Sequence, residues 1–251
     1  NSNLMAKLQY AGDYVLKEAL LVSSTGVRLD LVGNILAFEI FENLFSTSLS
    51  GSITFADTDN IATNAPIIGQ EYLYMKIGTP TLDDYDIDFT NVPFTTYKVN
   101  AKVDANKGTQ VVQVSFTSPE MLTDKRVRVS KSYTDTIDNI VTNILRDEKY
   151  INTLKKLHIE PTAGIRKLIS PNLHPFNFIT NLATEAVALK DNNPFFMFYE
   201  STQGINFRSI ESLFAEDTFG DYAIGDFGQN EGKKQDIGKD YGRIIDFEVS
   251  S

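Results

Sequence analysis

From Asp13 to Phe116 apolar and polar residues alternate in short runs, with the period of two that half-buried strands require. Tyr14, Leu16 and residues 19–22 form a first run, closed by a turn at residues 23–26. Val27, Leu29 and Leu31 then alternate with Arg28, Asp30 and Val32. Residues 35–42 are too apolar for one whole side to face water. In the next run Leu49, Gly51, Ile53 and Phe55 alternate with Ser48, Ser50, Ser52 and Thr54. Gly51 stands where an apolar side chain is expected, which predicts a sharp bend or a close backbone neighbour. Asp57 or Thr58 is placed to cap a helical turn through Ile61, and Pro66 and Gly69 bracket a loop. Tyr72, Tyr74 and Lys76 alternate with Leu73, Met75 and Ile77 in a further strand. The Asp-rich residues 79–93 read as a loop. Residues 94–105 and 109–118 predict a hairpin around Asn106, Lys107 and Gly108, with Gly108 supplying a positive φ. Six or seven strands at this spacing predict a barrel or a sandwich.

The period changes after Pro119. Ile137, Ile140, Val141, Ile144 and Leu145 fall on one helical face. Ser132 with Asp135 resembles a capping box, Thr134 competes as the N-cap, and the helix is predicted over residues 134–147. Residues 151–170 show no period and are broken by Pro161 and Gly164. Pro175 suits a first helical position, and Phe178, Ile179, Leu182, Ala183, Ala186 and Leu189 make the buried stripe that follows. After a polar stop at residues 191–194, residues 195–199 and 205–209 predict a hairpin across Ser201, Thr202, Gln203 and Gly204. Beyond Phe214 glycine recurs with few large apolar residues, so residues 215–240 read as extended or mobile. Residues 244–249 look like one more strand, to be paired with the first sheet, another chain or residues beyond Ser251. The chain thus divides into a β-rich region (1–130), an α+β region (131–214) and a Gly/Asp-rich segment with a final strand (215–251).

Composition narrows the chemistry. The 251 residues are 42% apolar, enough for one large domain or two small ones. No apolar run approaches the ~20 residues of a membrane helix, and no signal peptide is legible at the start. There is no Cys, which removes disulfides, thiolate nucleophiles and Cys-based metal sites. Two His leave little for a His-built metal centre. The net charge is −10. Residues 1–130 carry 15 acids and 10 bases, residues 131–214 carry 9 of each, and residues 215–251 carry 9 and 4. Such a chain is unsuited to gripping DNA through its phosphates.

Few candidate sites remain. Asp84, Asp86 and Asp88 match the opening of a calcium loop, but Phe89 replaces the required Gly and Thr95 the terminal Glu. With Asp83 they read as an acidic solvated loop. Glu39 and Glu42 lie in an apolar run where a carboxyl pKa could rise, yet strand-edge positions explain them more simply. His158 reads as a surface residue, and His174 as part of the helix start before Pro175. Neither has a G-x-S-x-G elbow to serve, and no Walker or dinucleotide loop is present. Lys125, Arg126, Arg128 and Lys131, then Lys155, Lys156, Arg166 and Lys167, form two loose basic groups without interleaved aromatics. These read as solvated faces or subunit contacts. No catalytic, cofactor-binding or metal residue is assigned.

The element order then carries a resemblance. A β-rich region holds SLSGSITFADTDNI (48–61) and VNAKVDANKGTQVVQVSFTSPEML (99–122). SYTDTIDNIVTNIL (132–145) and NLHPFNFITNLATEAVALKDNNPFFMFYESTQGINF (172–207) follow. Over Tyr14 to Leu213 this resembles the baseplate hub proteins of contractile-tailed bacteriophages, and the hub part of type VI secretion spike proteins. The resemblance implies an α+β fold: an N-terminal antiparallel tube-type β-barrel, an α+β insert domain, then the start of a second barrel within residues 242–251. It implies a structural subunit of the virion, assembled in the host cytoplasm, with no catalysis and no cofactor. Its partners would be two further copies in a homotrimer, a tail-tube protein and a spike protein. DNA would pass through the lumen without specific binding, and no membrane anchor is implied. Asp83, Asp84, Asp86 and Asp88 become candidates for an acidic lumen or rim. The hub's second full barrel and any wall-degrading domain are missing from the pattern. A carbohydrate- or receptor-binding module of a tail fibre, or a carboxylate-based cell-wall hydrolase, are the competing expectations.

Overall fold

The computed structural model describes residues 14–57, 67–79, 82–106 and 109–217, with two short strands at 223–224 and 243–244. Eight strands come first: β1 (Val15–Val22), β2 (Arg28–Asp30), β3 (Ile35–Phe41), β4 (Ser50–Asp57), β5 (Tyr72–Thr79), β6 (Leu82–Asp88), β7 (Phe94–Asn106) and β8 (Thr109–Thr117). They form one antiparallel sheet in the order β2-β1-β5-β7-β8-β4-β3, with β6 bonded to β5. β2 and β3 stand at opposite ends of this path, yet only residues 31–34 separate them in the chain. The sheet must therefore curl until its ends approach. The Leu31 N–H donates to the Ala19 carbonyl, and the Ile35 N–H to the Leu31 carbonyl, so the connector itself is bonded into the curl. Among the described residues no ladder joins β2 to β3.

Inward positions follow the alternation of the sequence. Ile53 and Phe55 of β4, Leu73 and Met75 of β5, and Val112, Val114 and Phe116 of β8 are all buried in one cluster. Phe89, Phe94 and Phe116 pack in series, with ring centroids 4.4 and 4.7 Å apart. Gly51 has the close neighbour its position predicted. A Cβ there would meet the Glu39 carbonyl oxygen at 2.1 Å and Phe116 Cζ at 2.5 Å.

Three readings of this region change. Residues 79–93 are not simply a loop, because β6 pairs with β5 through Lys76↔Asp88 and Ile77↔Ile87. Aspartate is poor in strands, but here Lys17 and Lys76 from two neighbouring strands reach its carboxylates. The apolar β3 is an edge strand and does expose a side, with Leu36 60% and Phe41 58% accessible. The predicted helical turn from Thr58 to Ile61, and the Gly108 turn, lie outside the described residues.

The rest of the chain is a smaller α+β unit. It comprises α1 (Pro119–Arg126), β9 (Ser132–Asp135), α2 (Ile137–Arg146), β10 (Leu157–Ile159), β11 (Arg166–Ile169), α3 (Pro175–Glu185), β12 (Phe196–Ser201), β13 (Gly204–Ser209) and α4 (Ile210–Phe214). β12 and β13 form the predicted hairpin, and β10 adds to β13 in parallel. β9 and β11 pair as a separate ribbon. The stripes of α2 and α3 pack with Phe196, Phe198 and Phe207 into a second core. α2 starts three residues later than predicted, because Ser132–Asp135 is a strand and Thr136 is the N-cap. α3 starts at Pro175 as expected but stops at Glu185, leaving Leu189 exposed beyond the stripe. Of the final strand, β15 (Arg243–Ile244) pairs in parallel with β14 (Ala223–Ile224), a partner the sequence did not suggest. Residues 245–251 lie outside the description.

Candidate functional site

The two cores meet at a buried ionic junction that no sequence motif announced. Glu120 opens α1, Lys155 precedes β10, and Glu200 lies on β12. Lys155 Nζ donates to Glu120 Oε2 at 2.7 Å and to Glu200 Oε1 at 2.5 Å. The side chains are 4%, 11% and 2% accessible for Glu120, Lys155 and Glu200. Glu200 Oε2 accepts the backbone N–H of Leu49, one residue before β4, at 2.9 Å. Its Oε1 also accepts the Ser118 hydroxyl at 2.8 Å. Glu120 Oε1 accepts the Thr153 hydroxyl at 2.6 Å. One carboxylate thus ties the large sheet, the linker before α1 and the α+β unit to a single point. Burial is the main cause that pushes the Glu200 carboxyl up, with Lys155 pulling it back and Glu120 adding to the rise.

Two carboxylates converging on one ammonium could suggest hydrolytic chemistry, and a cleft of about 220 Å³ lined by Lys155, Glu200 and Asp88 lies beside them. All four carboxylate oxygens, however, already accept from protein donors. With the two acidic side chains 4% and 2% accessible, the arrangement holds the parts together as a lock. Lys155, grouped by sequence with solvated bases, is buried here because both partners are.

A second clasp joins α1 to α3. Asp124 Oδ1 accepts the Phe176 N–H at 2.7 Å, satisfying a donor in the first turn of α3. His174 Nδ1 lies 2.8 and 3.0 Å from the carbonyls of Asp124 and Val127, so that nitrogen carries the proton and donates to them. His174 is the N-cap residue of α3, its carbonyl accepting the Phe178 N–H at 2.9 Å, while its side chain anchors the end of α1. His158, expected at the surface, sits on β10 with its Nε2 buried and without a partner. It lines a groove of about 930 Å³ with Glu160, Leu189, Lys190, Arg208 and Glu211.

The acidic candidates divide. Asp86 is paired with Lys17 at 2.9 Å and Lys76 at 3.6 Å, and Asp88 with Lys76 at 3.1 Å. Bonding to Lys17 holds the Asp86 carboxyl below its usual range, and the Thr90 hydroxyl does the same for Asp88. Asp83 and Asp84 are on the β6 backbone, and their side chains lie outside the described residues. Glu39 and Glu42 are exposed, and Glu42 accepts the Thr202 N–H at 3.3 Å. Among the described residues no cluster of three or more His, Asp or Glu could hold a metal ion, and no helix is long and apolar enough to cross a membrane.

Neither a protein-family model nor a curated relative matches the sequence. The fold has counterparts among solved structures. The 43 kDa tail protein of prophage MuSo2 from Shewanella oneidensis is similar over 86% of this chain, at 11% identity and a TM-score of 0.53. A prophage tail protein, gp18, from Listeria monocytogenes is similar over 85% of this chain and 56% of its own, at 11% identity and 0.49. An E. coli type VI secretion component, described as similar to the T4 tail proteins gp27 and gp5, matches 69% of this chain and 45% of its own, at 17% identity and 0.47. The chain spans 60% of the length of the Shewanella protein. The curled antiparallel sheet with its α+β unit is thus similar in fold to the Shewanella prophage tail protein, in keeping with the resemblance that the sequence carries.

Proposed function

We propose that this chain is a structural hub subunit of a contractile phage tail baseplate. Three copies form a ring that joins the tail tube to the central spike and leaves a channel for DNA. What carries the reading is the likeness of its fold to a prophage tail protein over 86% of the chain. The lock of Glu120, Lys155 and Glu200 agrees with it, since a static adaptor needs its parts held in one orientation. In this reading residues 1–130 build the tube-type domain, residues 131–214 the insert, and residues 215–251 an extension toward the neighbouring parts. The aspartates of β6 line the lumen or its rim, where acidity lets DNA slide without sticking. Asp86 and Asp88 add little net charge there, since Lys17 and Lys76 offset them.

The test is assembly. The full chain is purified with the spike protein of the same tail, then sized by light scattering and imaged by electron microscopy. A three-fold ring with an axial channel, seated on the spike, is expected. A chain that never joins the spike overturns the hub role, and a ring with β6 on its outer wall overturns the lumen assignment.

A further inference from the structure

Two strand edges of opposite charge are exposed on this chain. β3 ends the large sheet and, among the described residues, is bonded to β4 alone. Its outer edge offers backbone N–H and C=O groups to a further strand. Leu36 and Phe41 stand exposed on it, Glu39 adds one negative charge, and Glu42, one residue past its end and accepting the Thr202 N–H, adds a second. β11 is bonded to β9 alone among the described residues. It carries exposed Arg166 and Lys167, flanked by Ile165 and Ile169, which are 73% and 74% accessible. The Ser170 N–H donates to the Lys131 carbonyl, which brings a further exposed cation to the same ribbon.

The two edges are complementary in kind. Each presents two large apolar side chains with two like charges, and the signs are opposite. The four positions of β11 fit within the seven of β3. A surface that matches a different surface of the same molecule makes a head-to-tail contact, which generates rings when the rotation closes. Strand addition supplies the backbone bonds, and the flanking side chains supply register and partner choice. Nucleic acid fits β11 less well. Its two bases are flanked by exposed isoleucines, the neighbouring Tyr133 ring is buried, and the chain as a whole carries −10.

We propose that the β3 edge of one copy pairs with the β11 edge of the next, with Glu39 and Glu42 set against Arg166 and Lys167. This rests on the ring reading above and assigns the surfaces that join its subunits.

The experiment is sedimentation velocity on the full chain over a concentration series at low and high salt. Three variants are compared: R166E/K167E, E39K/E42K, and the four changes combined. Circular dichroism verifies that each is folded. The unaltered chain is expected to self-associate, less so at high salt. Each double variant should weaken association by about tenfold or more, and the combined variant should restore it. Three results overturn the pairing: a chain monomeric at every concentration, an oligomer indifferent to both reversals, or a folded combined variant that fails to reassociate. Binding of a DNA duplex that is lost in R166E/K167E, with oligomerisation unchanged, would overturn it too. A three-fold ring on the spike that ignores both reversals removes this interface and leaves the hub reading standing. Association through these edges without any binding to the spike does the reverse.

Discussion

The Glu200 carboxylate accepts the backbone N–H of Leu49 across 151 residues of chain, at 2.9 Å. Through it a side chain of the α+β unit holds the entry to β4, the strand next to the β3 edge of the sheet. Because Lys155 binds the same carboxylate, the junction contains two acids and one base away from water.

Removing the base should therefore be the more damaging change. Lys155→Met leaves Glu120 and Glu200 facing each other without a cation. A loss of about 3–5 kcal/mol is expected from breaking a buried pair. Urea denaturation followed by circular dichroism reads it as a lowered midpoint. A midpoint within experimental error of the unaltered chain would show that the junction contributes nothing to stability.

The same junction predicts a pH dependence. The Glu200 carboxyl is raised above 4.5, its value in the unfolded chain, first of all by burial. Between the two values the folded state holds a proton that the unfolded state has released. The stabilisation is thus fully present below about 4.5 and is lost as pH rises through the folded value. Glu200→Gln lacks this titration. Relative to that variant, the unaltered protein should lose stability as pH rises above about 4.5. Asp86, Asp88 and Asp135, whose values are lowered, act with the opposite sign and lose their contribution as pH falls. They are common to both proteins and cancel in the comparison. A difference that is flat or grows the other way rejects the assignment.

Gly51→Ala tests the closeness of β3, β4 and β8. The added methyl meets a backbone oxygen at 2.1 Å, and the Glu39 carbonyl cannot turn away without breaking the β3–β4 ladder. Destabilisation of about 1–3 kcal/mol or more is expected. Thermal unfolding measures it, and Ser50→Ala beside it serves as the tolerated control.

Asp124→Ala removes the acceptor that the Phe176 N–H uses. The expected loss is about 1–2 kcal/mol, in the range of a lost helix cap. Hydrogen exchange should show faster exchange in the first turn of α3, while β4 and β8 keep their protection.

Much of the fold was legible wherever one face of an element is buried. The inward sets of β4, β5, α2 and α3 follow directly from period two or period 3.6 in the residues themselves. What escaped depends on partners distant in the chain. β6 reads as a loop because four aspartates outweigh two apolar residues, until Lys17 and Lys76 arrive from β1 and β5. β10 and β11 are three and four residues long, too short to show a period. Glu120, Lys155 and Glu200 lie 35 and 45 residues apart, so no local pattern could join them. β3 departs for another reason: apolar residues imply burial, yet Leu36 and Phe41 are exposed among the described residues.

The partner choice within the large sheet also sets an order of events. β1 waits for β5, and β4 pairs with β8, whose residues emerge about sixty positions later. No long ladder on this path except β3–β4 and β7–β8 is local in sequence, so the sheet cannot complete until Thr117 has left the ribosome. The α+β unit completes later still, since β10 needs β13. Glu200 can reach Leu49 only once residue 200 has been made, when every strand of the large sheet has already emerged. The bonds that set the two parts relative to each other, from Glu200 and Thr202, therefore wait for the far end of the α+β unit.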